Sequence, residues 1–226
     1  MYSVLDGIIY ASVVALGFAA TENTLYLFSN YTESGWGGLF ALFFLRVILG
    51  AWAHPLYTSF CGIGFALARM SRSGMVKVLA PLIGLGIGIF LHGLNNGILI
   101  VGNNLLALGT VTFIEWFGWF FIVAVMFWAL GHERRLAQQY LHEEMTLGRL
   151  SPAQYATACS AWRQFWLSWG NLFSGRSRAT RRFYQVCGEL THKKQQFATL
   201  GDEGGNSQVI ASLQAELQQL APVALA

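Results

Sequence analysis

An all-α, polytopic membrane helix bundle of about four transmembrane segments, with a cytoplasmic helical tail, is the fold that three observations predict. Only 11% of the 226 residues are charged, while 54% are hydrophobic and 15% aromatic; an ordinary soluble domain is roughly 25% charged. Four apolar stretches are long enough to cross a hydrocarbon core of about 30 Å, for which about 20 helical residues suffice. Lys and Arg are confined to alternate sides of those stretches, as cytoplasmic loops require. This composition excludes a soluble enzyme. A net charge of +3 supplies no bulk electrostatics for nucleic-acid binding. Cys61, Cys159 and Cys187 lack paired spacing and read as free thiols.

The first span covers residues 7–27, with Glu22 as its only charge. Residues 1–6 carry no Lys or Arg and the apolar run is long, which argues against a signal peptide. Span two, residues 39–68, contains Arg46 and His54-Pro55. It would reach about 45 Å as one helix, so strong tilt or a break at Pro55 is expected. Span three, residues 78–101, has no formal charge, and its Gly84, Gly86, Gly88, Gly93 and Gly97 are spaced for close helix packing. Span four, residues 110–131, holds Glu115 among Trp116, Trp119 and Trp128. Arg69, Arg72 and Lys77 lie between spans two and three, and every other basic residue except Arg46 follows Gly131. Span one therefore runs from inside to outside, and the tail is cytoplasmic.

The expected domains are a transmembrane domain over 1–131, a cytoplasmic amphipathic helical region over 132–200, and a linker with a short C-terminal helix over 201–226. Ser151-Pro152-Ala153-Gln154 reads as a capped helix start. Trp162, Phe165, Trp166 and Trp169 make one aromatic helix face, followed by the basic residues Arg176, Arg178, Arg181, Arg182, Lys193 and Lys194. That pattern suits either a helix lying on an anionic leaflet or a small bundle that buries the rings. Residues 201–207 read as a flexible linker, and Ile210, Leu213, Leu217 and Leu220 as a narrow apolar seam. His132-Glu133 does not open a zincin motif, because position 136 is Leu136.

Ionisable groups inside spans are costly and usually face a cavity or one another. Glu22, Arg46, His54 and His92 are such groups, and span geometry puts all four between the midplane and the outer interface, Glu22 roughly 7 Å outward. Asn95 and Asn96 lie three and four residues after His92, over the same helix face. Read as one site, these residues suit hydrolysis. A carboxylate or imidazole takes a proton from water, a second imidazole protonates the leaving amine, and Asn96 with Arg46 stabilises negative charge. Glu22, His54 and His92 equally offer one oxygen and two nitrogen ligands to a divalent metal such as zinc. The alternative for His92 and Asn96 is interhelical hydrogen bonding with no chemistry.

The run Asp6-Gly7 and Gly17-Phe18-Ala19-Ala20-Thr21-Glu22-Asn23-Thr24-Leu25-Tyr26 resembles the FxxxE helix of the PrsW family of intramembrane proteases, relatives of the type II CAAX prenyl endopeptidases. The resemblance continues through Arg46, through His54 with Gly62 and Gly64, and through His92-Gly93-Leu94-Asn95-Asn96, an HxxxN motif, covering roughly residues 6–100. It implies a membrane peptidase that hydrolyses peptide bonds of membrane protein substrates, in a bacterial inner or plasma membrane. Glu22, His54, His92 and Asn96 are its matching active-site positions. The family's paired-glutamate EExxK motif does not precede them, and Glu143-Glu144 is no substitute, since position 147 is Leu147. The sequence is therefore expected to be either a shortened form of a longer protein or a member without activity. Readings of other classes are a silent membrane scaffold or adaptor, and a small transporter with Glu22 and the histidines as an ion path.

Overall fold

The computed structural model describes residues 3–102, 104–170, 177–202 and 204–224. Among them every regular element is a helix: α1 (Val4–Phe43), a π-helical turn (Phe44–Leu49), α2 (Ala53–Met70), α3 (Gly74–Gly102), α4 (Leu105–Thr146), α5 (Pro152–Ala158), α6 (Ala161–Gly170), α7 (Ser177–Leu200) and α8 (Asn206–Leu220). The chain divides into two compact units, Met1–Phe127 and Trp128–Ala226. Three helical stretches are long and apolar enough to cross a membrane: Val4–Met70, Gly74–Gly102 and Leu105–Thr146. The outward faces of the first unit carry Val14, Leu25, Phe28, Phe113, Phe117 and Phe120. Such a surface belongs in lipid, and the chain is an integral membrane protein.

The first stretch holds two antiparallel arms. Gly35 has φ 63° and ψ −157°, a left-handed conformation that breaks the helix. Close contacts are arranged symmetrically about it: Gly7 meets Gly62, and Glu22 and Asn23 meet Arg46. The arms match the first two expected spans. The break expected at Pro55 lies instead at residues 50–52, after the π turn that Gly50 closes by donating to the Leu45 carbonyl at 2.9 Å. Pro55 sits in the first turn of α2, where an amide has no intrahelical acceptor to lose.

α2 is the central helix of this unit. Against α1, an added Cβ on Gly7 or Gly62 would collide with the other residue's carbonyl. Against α3 the approach is equally close: Gly64 abuts the Ala80 carbonyl, Gly84 that of Phe60, and Gly88 that of Tyr57. Ala80, Gly84, Gly88 and His92 recur every four residues, so this seam of small side chains runs straight to His92. Gly86, Gly93 and Gly97 have open space where a Cβ would stand, so the expected packing role holds only for Gly84 and Gly88. α4 joins through Gly118, which Leu56 overhangs. Leu56, Tyr57, Ala66 and Ile122 are buried in the resulting core.

The second unit has its own core, formed by Leu141, Leu150, Phe183, Val186, Cys187, Leu190, Leu213 and Leu217. The capping box at Ser151 and Gln154 is present, with Pro152 at the first position of α5. Leu213 and Leu217 of the expected seam are buried, while Ile210 and Leu220 pack at its edge. Of the expected basic stretch, Arg178 and Arg181 are exposed, but the other described members are engaged internally. Arg182 grips Glu216 through Nε at 2.6 Å and Nη2 at 2.8 Å, Lys193 reaches Asn206, and Lys194 reaches Glu143 and Glu144. Arg176 lies outside the described residues. The segment expected as a flexible linker is a hydrogen-bonded turn. Gly201, Gly204 and Gly205 take positive φ, the Ser207 amide donates to Asp202 at 2.7 Å, and buried Asn206 donates to the Gly201 carbonyl; Glu203 is outside the described residues. Cys61, Cys159 and Cys187 are free, and burial pushes the Cys187 thiol up to about 12.

Glu144 has no solvent-exposed surface. Burial alone would raise its pKa, but hydrogen bonds from Lys194 at 2.6 Å, Arg149 at 2.7 Å and Gln214 at 2.7 Å outweigh that and hold the carboxyl below its usual range. The second glutamate of the Glu143-Glu144 pair thus ties α4 to α7 and α8.

Candidate active site

Glu22 on α1, Arg46 on the π turn, His54 in the first turn of α2 and His92 on α3 converge in the first unit. A π turn is wider than an α turn, and such turns recur at functional sites. Here it delivers Arg46 to α1, where Nη2 donates to Glu22 Oε2 at 2.6 Å and Nε to Asn23 Oδ1 at 2.9 Å. The guanidinium lies 4.0 Å over the Tyr26 ring. Three residues on one stretch of α1 therefore fix the arginine, and the arginine fixes one lobe of the carboxylate.

His54 Nε2 lies 3.0 Å from Glu22 Oε2, and His92 Nε2 lies 3.6 Å from Glu22 Oε1. The two imidazoles are 5.1 Å apart between ring centroids, tilted by 73°. Phe18, one turn before Glu22, packs against both rings at 5.5 and 6.1 Å. All four charged or ionisable residues expected to form one site are thus brought together. Asn96 lines a cavity of about 170 Å³ together with His54, His92, Arg46, Asn23 and Asn95.

Glu22, His54 and His92 each present one donor atom within 4.8 Å of the others. His54 Nε2 is buried against the Glu22 carboxylate, which lies 3.0 Å away. One carboxylate oxygen and two imidazole nitrogens are the donor types that divalent zinc takes in sites with an open position. The residues fit a metal ion.

Glu115 belongs to this neighbourhood although the four-residue cluster did not include it. It lines the same cavity, and Tyr57 Oη donates to its Oε1 at 3.1 Å. The Tyr57 ring is stacked on His92 at 5.9 Å and 21°. The signal was present in the sequence, since Glu115 is an ionisable residue inside span four, on the same half of the bilayer as the others. Tyr57 and the clamp residues Asn23 and Tyr26 left no such signal, because polar groups without charge are common in membrane helices.

Comparison with known proteins finds relatives of one kind. Protease PrsW of Halalkalibacterium halodurans is 30% identical over 134 residues, 59% of this chain and 54% of that protein. Protease PrsW of Bacillus subtilis is 34% identical over 116 residues, 50% of this chain and 49% of that protein, and that of Oceanobacillus iheyensis 34% identical over 94 residues, 42% and 39%. The chain spans about half the length of these curated relatives or less. No solved structure matches it. Residues 1–130 match the family described as PrsW family intramembrane metalloprotease, and they contain every residue of the cluster: the chain belongs to that family.

Proposed function

We propose that this chain carries the site of an intramembrane metallopeptidase, with Glu22, His54 and His92 holding a divalent ion such as zinc, that cleaves peptide bonds of membrane protein substrates. The observation that carries the reading is the meeting of these three donors, from three helices, within 4.8 Å of one another. Bound there, the ion supplies Lewis-acid polarisation of water and of a peptide carbonyl. Arg46 fixes the orientation of Glu22 through its 2.6 Å contact. The side-chain amide of Asn96 lines the adjoining cavity, where it can donate to the oxyanion that develops on the carbonyl oxygen. Glu115, paired with Tyr57 on the cavity wall, is a carboxyl placed to exchange a proton with water or with the leaving amine. The low-dielectric walls contributed by Leu42, Leu45, Leu49 and Leu99 strengthen each of these interactions.

The distribution of Lys and Arg favours a cytoplasmic tail from residue 132 onward and a site in the outer half of the membrane. Single-span membrane proteins cut near the outer face are the substrate class that this depth favours. The test is cleavage of such a protein co-reconstituted in liposomes with the purified protease. Cleavage that disappears with Glu22→Gln or His92→Ala, and that a chelator stops and zinc restores, supports the reading. Cleavage that survives both substitutions ends it.

A further inference from the structure

Among the described residues, α6 is held to the second unit along one side. Gln164, Leu167 and Ser168 face Thr180, Arg181 and Tyr184 of α7 across a small cavity, and Leu167 packs on the unit's core. Trp162, Phe165, Trp166 and Trp169 fall on the opposite side, 67%, 46%, 56% and 60% exposed. The rings pack on one another, Trp162 with Trp166 at 5.5 Å and Phe165 with Trp169 at 6.0 Å. A continuous face of four large rings is more apolar surface than a helix keeps in water without a reason.

The level of this face is read from α4. Ala161 and Gln164 share a cavity with Leu130, Glu133, Arg134 and Ala137, the turns of α4 where the apolar run gives way to charge. A spanning helix leaves the hydrocarbon at such a change. Trp128, with His132 stacked on it at 5.7 Å, is the residue type that occupies the headgroup level there. The start of α6 is thus packed beside the membrane exit of α4. Charge agrees with that position: Arg134, Arg135, Arg163, Arg178 and Arg181 are exposed, while Glu133 is paired with His192 at 3.0 Å.

We propose that α6 is an interfacial anchor whose aromatic face lies in the headgroup layer of the membrane that α4 crosses, with the surrounding arginines on anionic phospholipid. Tryptophan suits this layer because its ring is apolar and its N–H remains wet, and an interfacial helix seats its apolar face about 5–10 Å into the headgroup boundary. Each arginine near an anionic surface adds to the attraction. This reading is independent of any peptidase activity.

The experiment compares the full chain with its Trp162→Phe, Trp166→Phe, Trp169→Phe variant. Both are reconstituted in phosphatidylcholine–phosphatidylglycerol vesicles whose lipids are brominated near the top of the acyl chains. The fluorescence difference between the two proteins isolates the three α6 tryptophans, and phenylalanine preserves the face and the fold. The expected result is that this component is quenched by the brominated lipid and shielded from aqueous acrylamide, and that lipid quenching falls when phosphatidylcholine alone is used. Quenching by acrylamide without quenching by lipid would overturn the proposal, as would shielding from both, which would mark a protein partner or a second copy as the occupant. Equal lipid quenching in the two vesicle types would overturn the assignment to anionic lipid.

Discussion

Tyr57 touches two parts of the site at once: its hydroxyl donates to Glu115 at 3.1 Å while its ring lies stacked on His92. The residue comes from α2, so the central helix supports an imidazole on α3 and a carboxyl on α4 with one side chain. Tyr57→Phe keeps the stack and loses the hydrogen bond. It is expected to lower stability by about 0.5–1.5 kcal/mol, the range of interhelical hydrogen bonds in membranes. Tyr57→Ala also removes the support of His92 and is expected to weaken zinc binding by about 10–100-fold, as loss of an outer-shell partner does. Thermal unfolding in detergent and calorimetric zinc titration measure the two effects.

Removing a donor is a more severe change than loosening one. His54→Ala and His92→Ala are each expected to abolish stoichiometric zinc binding with helical circular dichroism retained. In the parent protein, zinc at about 100-fold over its dissociation constant is expected to add about 2.7 kcal/mol to stability through mass action. A melting temperature that zinc leaves unchanged in the parent, or raises equally in both variants, would count against zinc at this site.

The α2–α3 seam makes a contrast between glycines on one helix. Gly84→Leu must push α3 away from the Phe60 carbonyl and is expected to destabilise by about 1–3 kcal/mol or more while weakening zinc binding, because His92 rides on the same seam. Gly93→Leu enters open space and is expected to change neither. Parallel unfolding and titration of the two variants separate a backbone-contact seam from a general need for glycine.

In the second unit, Glu144 makes stability depend on pH. Its folded pKa lies below the unfolded value, so its contribution is full above the unfolded carboxylate pKa of about 4.3 and is lost as pH falls through the folded value. Acid unfolding of this unit, followed by near-ultraviolet circular dichroism, is expected to shift toward milder acidity in Glu144→Gln. At neutral pH, Glu144→Ala leaves Lys194 and Arg149 without their buried acceptor and is expected to cost about 3–5 kcal/mol. An unchanged acid transition in the glutamine variant would count against this account.

Long-range apolar pattern was the most legible part of the fold. The spans are visible because a membrane helix needs about 20 apolar residues in succession, and no packing detail alters that. Of the tilt or break at Pro55 that the length of span two predicts, the structure shows a break earlier, since proline is compatible with a first turn and only the backbone at Gly50 reveals the interruption. Glu22, Arg46, His54 and His92 stood out as ionisable groups at similar depth, and the structure groups them. Which glycines touch a neighbour depends on helix rotation, which spacing alone leaves open: Gly84 and Gly93 look alike in sequence. The charge pattern of the tail misled for a related reason. Arg182 and Lys194 find acids 34 and 50 residues away, partners that a linear reading of a basic stretch does not see.

The seam that carries His92 joins backbones rather than flexible side chains, with Gly64, Gly84 and Gly88 leaving no slack between α2 and α3. Preorganisation follows from this. The imidazoles of His54 and His92 are placed when the helices fold, so an arriving ion has little chain entropy left to quench. Zinc-finger domains depend on metal to fold at all; if the proposed ion binds here, this bundle is instead a socket moulded in advance, and a chelator is expected to leave the helices standing.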